Sequence, residues 1–339
     1  MSITAGEREE PPPAPAPRCR LCVAVIGDAE SVWAAPAVDD VGGPSFHGVP
    51  VLAADGSSVA VIGRLAGDDD RSTRIWHGRP GALVEVGRMH EQLDPASLVR
   101  HRERWHLFGD VDGRAWHGTS DDLVTWTPDE QFTVEHPHLV VRGAASMDHA
   151  IVIVGQVVMS GRRMGWTVLE GAEGPYHARE VTFPLTAEHE VVGPVAGPEG
   201  ELSLVVSSGV SHLLARTVAG TKGRSWTLAL LTPAVTPSAV FAHEGQIWVA
   251  GTDPAGGAPL VAAVGGRAFH LDRSGGEVRA GTVLRDELVL ARIPASGHRG
   301  ATVEPPEQSP VDAAVDIAVD AAVESGQSSP AYIDSISAA

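Results

Sequence analysis

WHLFGDVDGRAWHGTSDDLVTWTP, residues 105–128, reads as most of one small antiparallel sheet. Trp105 to Gly109 is an apolar strand ending in a small residue, and Arg114 to Gly118 is a second strand. Upstream, Ser97 to His101 and the polar Arg102–Glu103–Arg104 supply a first strand and its hairpin turn. Trp126 stands ten residues after Trp116, one outer strand further on.

The same unit recurs along the chain. Val51–Ala54, a turn at Asp55–Gly56 and Val59–Gly63 form one copy. Val140–Ser146 with Ala150–Gly155 forms another, and further copies end at Ser207 and Gly251. Arg74–Ile75–Trp76–His77–Gly78 repeats as Arg114–Ala115–Trp116–His117–Gly118. The end points Gly63, Gly109, Gly155, Ser207 and Gly251 are spaced 46, 46, 52 and 44 residues apart. That period is the size of one four-stranded propeller blade.

The expected fold is therefore an all-β propeller. Five units are complete, and residues 20–36 and 277–293 each supply half of one. Joined, they make a sixth four-stranded blade from both ends of the domain, which removes the open sheet edges. The expected domains are a disordered Pro/Glu-rich leader (1–19), the propeller (20–293) and a flexible acidic Ala/Val/Asp-rich tail (294–339).

The segment Ser120–Asp121–Asp122–Leu123–Val124–Thr125–Trp126 resembles the Ser-x-Asp-Leu-x-x-Trp blade element of the invertase-like and arabinanase-like glycoside hydrolases. It is also similar to a sialidase Asp-box shortened by one residue, with Val124 at its glycine position. In those families the element is structural, so the resemblance makes Ser120, Asp122 and Trp126 fold residues. Their chemistry agrees: Ser and Asp two apart can bond the backbone of a tight turn, and the indole can pack between sheets. The catalytic signatures of the invertase-like enzymes, Asn-Asp-Pro-Asn-Gly, Arg-Asp-Pro and Glu-Cys, do not occur. Glu173–Gly174–Pro175 looks like the arabinanase-like acid, but its register puts it on an outer turn. Arg292–Ile293–Pro294 matches a sialidase tripeptide at the wrong end of the chain.

The net charge of −18 argues against nucleic acid and anionic membranes as partners. No apolar run is long enough to span a bilayer, and the polar N-terminus lacks the features of a signal peptide, so a cytoplasmic location is expected. The two cysteines, Cys19 and Cys22, open an apolar run. Without a second pair they read as strand cysteines rather than a zinc site, and no cofactor or metal is expected.

Ligands of propellers sit at a mouth of the central channel. Loops expected there carry Asp39, Asp40, Arg88–Asp94 with His90, His136, His138, Glu188, His189 and Glu190. Glu188 and Glu190 are the candidate acids for glycoside hydrolysis. Asp39, Asp40, His90, His136, His138 and His189 are the candidate ligand-binding residues. His136 and His138 with Glu188–Glu190 offer a loosely spaced metal set, against which Pro137 and the spacing count. In the tail, a Val-Asp pair recurs every four residues from Val311, and the chain closes on Tyr332–Ile333–Asp334. That aromatic-x-Asp resembles ribosomal peptide cores cross-linked by radical SAM enzymes, which makes Tyr332 and Asp334 candidate modification sites for such an enzyme.

The leading expectation is a noncatalytic propeller that recognises a protein partner or a small polar ligand, carbohydrate included. A propeller glycosidase and a precursor-like substrate of a modifying enzyme are the alternatives.

Overall fold

The computed structural model describes residues 18–25, 39–40, 44–66, 72–89, 92–178, 185–197, 199–209, 211–217, 225–255, 257–266, 268–271, 276–285 and 287–294. His90, Tyr332 and Asp334 lie outside the described residues, as do three consecutive aspartates, Asp68 to Asp70, and the Val-Asp repeat.

The strands begin with β1 (Arg18–Val25) and β2 (Asp39–Asp40). A first hairpin-linked set is β3 (Phe46–Ala54), β4 (Val59–Leu65), β5 (Thr73–Arg79) and β6 (Ala82–Met89). A second is β7 (Leu93–His101), β8 (Arg104–Val111), β9 (Arg114–Ser120) and β10 (Thr127–Pro128). After the six-residue α1 (Glu130–Glu135) come β11 (Leu139–Ser146), β12 (Ile151–Met159), β13 (Arg162–Gly171) and β14 (His177–Ala178). Next are β15 (Glu190–Ala196), β16 (Leu202–Ser208), β17 (Ser211–Thr217) and β18 (Trp226–Leu230). The last full set is β19 (Thr236–His243), β20 (Gln246–Thr252), β21 (Pro259–Ala263) and β22 (Ala268–His270), before β23 (Gly276–Leu284) and β24 (Glu287–Pro294). No helix among the described residues is long and apolar enough to cross a membrane.

The chain is a β-propeller of antiparallel four-stranded units, but its sheets number five rather than the six separate blades expected. Among the described residues, four sheets have four strands and one has eight. The cause is β1, which pairs with β24 from Arg20 to Val25 and with β3 at Arg18↔His47 and Cys19↔Phe46. It thereby fuses β23, β24, β1 and β2 to β3–β6 in one sheet, in which the two ends of the described chain lie side by side. The second N-terminal strand, expected within 20–36, is instead Asp39–Asp40, paired with Val23 and Cys22. The innermost strands β3, β7, β11, β15, β19 and β23 touch in that order, and β23 returns to β3.

Each innermost strand carries a register shift against its partner. The shifts fall between His47 and Val51, Pro95 and Ser97, Val141 and Gly143, Val192 and Val195, Pro237 and Ala239, and Val278 and Ala280. Such a bulge kinks the strand and brings its backbone close to the partner. This explains the repeated glycines. Gly109 pairs with Pro95, and a Cβ there would lie 2.5 Å from the Asp94 carbonyl oxygen. Gly251 pairs with Pro237, and its Cβ would overlap the Thr236 carbonyl. Ser207 is not their counterpart: it pairs with Glu190 at a strand end, and Val205 is the residue that pairs beside the bulge.

The core lies in the seams between neighbouring sets of strands. One cluster joins Ile62, Ile75 and Val51 to Leu98, Trp105 and Trp116. Inside the eight-stranded sheet, Leu21 and Ala291 meet Phe46, Val61 and Trp76. Trp105 and Leu107 face one seam while His106 and Phe108 face the next, as the twofold alternation of a strand requires.

The Ser120–Trp126 turn is built from its own polar groups. Asp122 Oδ1 accepts from the Val124 and Thr125 amides, both at 2.8 Å, and from Ser120 Oγ at 3.0 Å. Those donors, Thr125 first, hold the Asp122 carboxyl below its usual range. Leu123 takes a left-handed φ of 65° and is buried, and Trp126 Nε1 donates to its carbonyl at 3.1 Å. Trp126 is half-buried against the seam that contains Trp105 and Trp116. Trp126→Ala should therefore cost about 2–3 kcal/mol, less than the loss of a fully buried tryptophan. Urea unfolding measures this; an unchanged midpoint would remove Trp126 from the seam.

Candidate functional site

The six innermost strands enclose a central cavity of about 800 Å³. Its wall is mostly valine, alanine, glycine and proline, which keeps side chains short around the axis. Among the described residues, five charged ones join that wall: Asp94, Arg100, Asp110, Arg142 and Arg279.

These charges have different surroundings. Arg100 lies 5.5 Å above the Trp105 ring and 3.5 Å from Asp55 Oδ2, which also meets His77 Nε2 at 3.1 Å. Asp94 is paired with Arg64 at 3.0 Å. Asp110 is its register partner across the β7–β8 ladder and accepts from the Gly113 amide at 2.7 Å. Partial burial pushes the Asp110 carboxyl above its usual range, and the Asp94 charge adds to this. Arg142 occupies the β11 bulge, and Arg279 the β23 bulge.

The residues singled out in the sequence are scattered. Asp39 and Asp40 form β2 on the far side of β1 from β24, not a loop into an inner strand. Glu190 pairs with Arg163 at 2.7 Å, Glu188 is exposed, and neither lines the cavity. His189 Nδ1 accepts from the Thr186 amide at 3.0 Å, closing its own turn. His136 Nε2 lies 3.1 Å from the Tyr176 carbonyl oxygen, while His138 is exposed. No group of three or more metal-ligating residues forms among the described residues, so the His136/His138 and Glu188–Glu190 set does not assemble there. Glu173 sits in the β13–β14 turn, as its register implied. Among the described residues of the loops expected at the mouth, Asp94 reaches the cavity wall.

A second polar cluster lies in the seam between β7–β10 and β11–β14. His117 Nδ1 is 3.0 Å from Asp129 Oδ2, and His117 Nε2 is 3.2 Å from His106 Nδ1. The Asp129 carboxylate can only accept, so His117 Nδ1–H donates to it, which leaves His117 Nε2 to accept from His106 Nδ1–H. His101 Nδ1 meets Ser146 Oγ at 2.9 Å. Phe108 stacks on His117 at 4.5 Å, and Phe132 and Tyr176 close the pocket edge-on. Burial first, then the neighbouring His117 and His101, lower the His106 pKa to about 3. Burial also lowers His117, against the opposing pull of Asp129.

Sequence reasoning found none of these histidines as a group, because their contacts join residues 11 to 45 apart. It also passed over Arg142 and Arg279. For Arg142 the signal was the glycine repeat, since its bulge stands across the ladder from Gly155; the Arg279 bulge stands across from Arg292 and Ala291, where no repeat glycine marks it.

No family model matches the sequence, and no curated protein matches it. Among solved structures, a luciferin-regenerating enzyme aligns with TM-score 0.46 and 10% identity over 76% of this chain and 95% of its own. TolB from Acinetobacter baumannii aligns with 0.48 and 14% over 81% and 63%. A GH43_1 enzyme from Xanthomonas citri complexed with xylose aligns with 0.41 and 13% over 67% and 92%. At such identities the likeness is one of fold.

The seam generates a pH dependence. Unfolded histidine titrates near 6.5, and the folded-state values are lower, so the folded protein binds fewer protons below that pH. Stability is thus fully present above about pH 6.5 and falls as pH drops toward the folded value of about 3. His106 alone should remove about 2 kcal/mol by pH 5. Melting between pH 7 and 5 tests this: the wild type should lose stability and His106→Asn should flatten the slope. An equal slope in both would contradict it.

Proposed function

We propose that this chain is a noncatalytic recognition propeller that takes a small polar ligand into its central cavity. One observation carries the reading: all six innermost strands contribute to a single cavity of about 800 Å³, a volume suited to a small molecule. A wall of short side chains interrupted by a few charges supports it, since such sites pair apolar surface with a few placed polar groups. Carbohydrates and small organic acids are both candidate ligands.

The Asp94–Asp110 pair favours a second reading, a glycosidase. Hydrolysis needs two carboxyl groups in different protonation states. Asp94 faces Arg64, while partial burial raises the Asp110 carboxyl above its usual range. In this reading Asp110 replaces Glu188 and Glu190 as the candidate acid.

A thermal-shift screen of mono- and disaccharides and small organic acids tests the first reading. A ligand at about 100 times its Kd adds about 2.7 kcal/mol, enough to raise the Tm. Ser238→Trp, which places an indole at the cavity wall, should abolish that shift; a shift that survives places the ligand elsewhere. Aryl glycosides should not be hydrolysed. Hydrolysis lost in Asp110→Asn would establish the glycosidase instead.

A further inference from the structure

Two of the six bulges carry arginine. Arg142 stands on β11 and Arg279 on β23, the third and sixth strands of the closed inner ring, and therefore on opposite sides of its axis. Both line the same cavity. A bulge re-aims the side chain of the extra residue, so equivalent bulges bring equivalent positions to one level of the ring.

Each guanidinium is held by one neighbour and keeps donors to spare. Arg279 Nη2 meets Glu277 at 2.6 Å, while its Nε is buried without a hydrogen-bond partner. Arg142 Nη2 donates to Gln156 Oε1 at 3.4 Å. Gln156 is itself buried, and its Nε2 donates to the Ala187 carbonyl at 3.0 Å, which turns its oxygen toward the arginine. Among the described residues Arg142 meets no carboxylate within ion-pair distance. Of the acids on the same wall, Asp94 is paired with Arg64 and Asp110 accepts from the Gly113 amide.

We infer that the cavity binds a small dicarboxylate, one carboxylate on Arg142 and the other on Arg279. This rests on the reading of the cavity as a ligand site. A planar guanidinium matches a carboxylate with two parallel hydrogen bonds, and placing one at each side of the ring selects a ligand with an acid at each end. In a chain of net charge −18, free anions are repelled from most of the surface, so a built pair of arginines is the feature that admits one.

Isothermal titration in low-salt buffer with oxalate, malonate, succinate, glutarate and adipate tests the inference on the full chain. One chain length should bind best. Arg142→Gln should weaken it about ten- to hundredfold, and Arg279→Gln similarly. Arg142→Lys should recover only part, since the charge returns without the fork. Arg163→Gln, whose guanidinium pairs with Glu190 outside the cavity, should bind as wild type does. Arg142 is exposed, so its variant should fold even where loss of Arg279 lowers stability. Dicarboxylate binding equal in wild type and Arg142→Gln overturns the inference. Silent dicarboxylates with a neutral sugar that binds and is displaced by Ser238→Trp overturn it too, and leave the cavity reading standing. Silence from every compound overturns both.

Discussion

Each innermost strand carries extra residues that its ladder partner cannot match, and the rest of the structure depends on that mismatch. A bulge bends the strand and brings its backbone toward the partner, which tolerates the approach best where it lacks a Cβ. Gly109 and Gly251 meet a strand carbonyl at this place in their ladders, while Gly63 and Gly155, at the same place, meet the Phe46 and Leu139 side chains first. The same bulges present Arg142, Ser238 and Arg279 to the cavity wall. One backbone device therefore produces the repeat seen in the sequence, the close packing near the axis and the chemistry of the cavity.

Closure supplies the second constraint. A propeller's first and last sheets must meet, and here β1 bridges them, paired with β24 along most of its length and with β3 at its start. The seams then need side chains of complementary shape. Most are aliphatic, but the one beside His106 and His117 is aromatic and polar. There some polar atoms satisfy one another, while the Nε2 atoms of His101 and His106 and the Tyr176 hydroxyl are buried without a partner. Burying neutral histidine is tolerable at neutral pH and grows costly once the ring must take a proton.

The fold was legible because its signal is local and repeated. Trp76 and Trp116, with their flanking His-Gly, mark equivalent strands, and the Ser120–Trp126 turn closes with bonds spanning two or three residues. The sheet count was not legible, since it turns on the two register pairs that join β1 to β3. The candidate site was the least legible part. Acidic and histidine-rich loops drew attention in the sequence, yet Glu190 is spent on Arg163, His189 on its own turn and His136 on the Tyr176 carbonyl. The cavity's charges sit singly within strands, where no local motif marks them. Arg142 looks like any exposed strand arginine until the ladder reveals its bulge.

The most direct test of the bulge constraint compares two glycine-to-alanine changes by urea unfolding. At Gly251 the new methyl would overlap the Thr236 carbonyl, whereas at Gly165, also within a strand, it meets nothing within 4 Å. Gly251→Ala should lose about 1–3 kcal/mol or more through the forced backbone shift, and Gly165→Ala should stay within about 1 kcal/mol of wild type. Equal stability of the two variants would mean that the bulges do not press on their partners, and the account of the cavity built on them would fall.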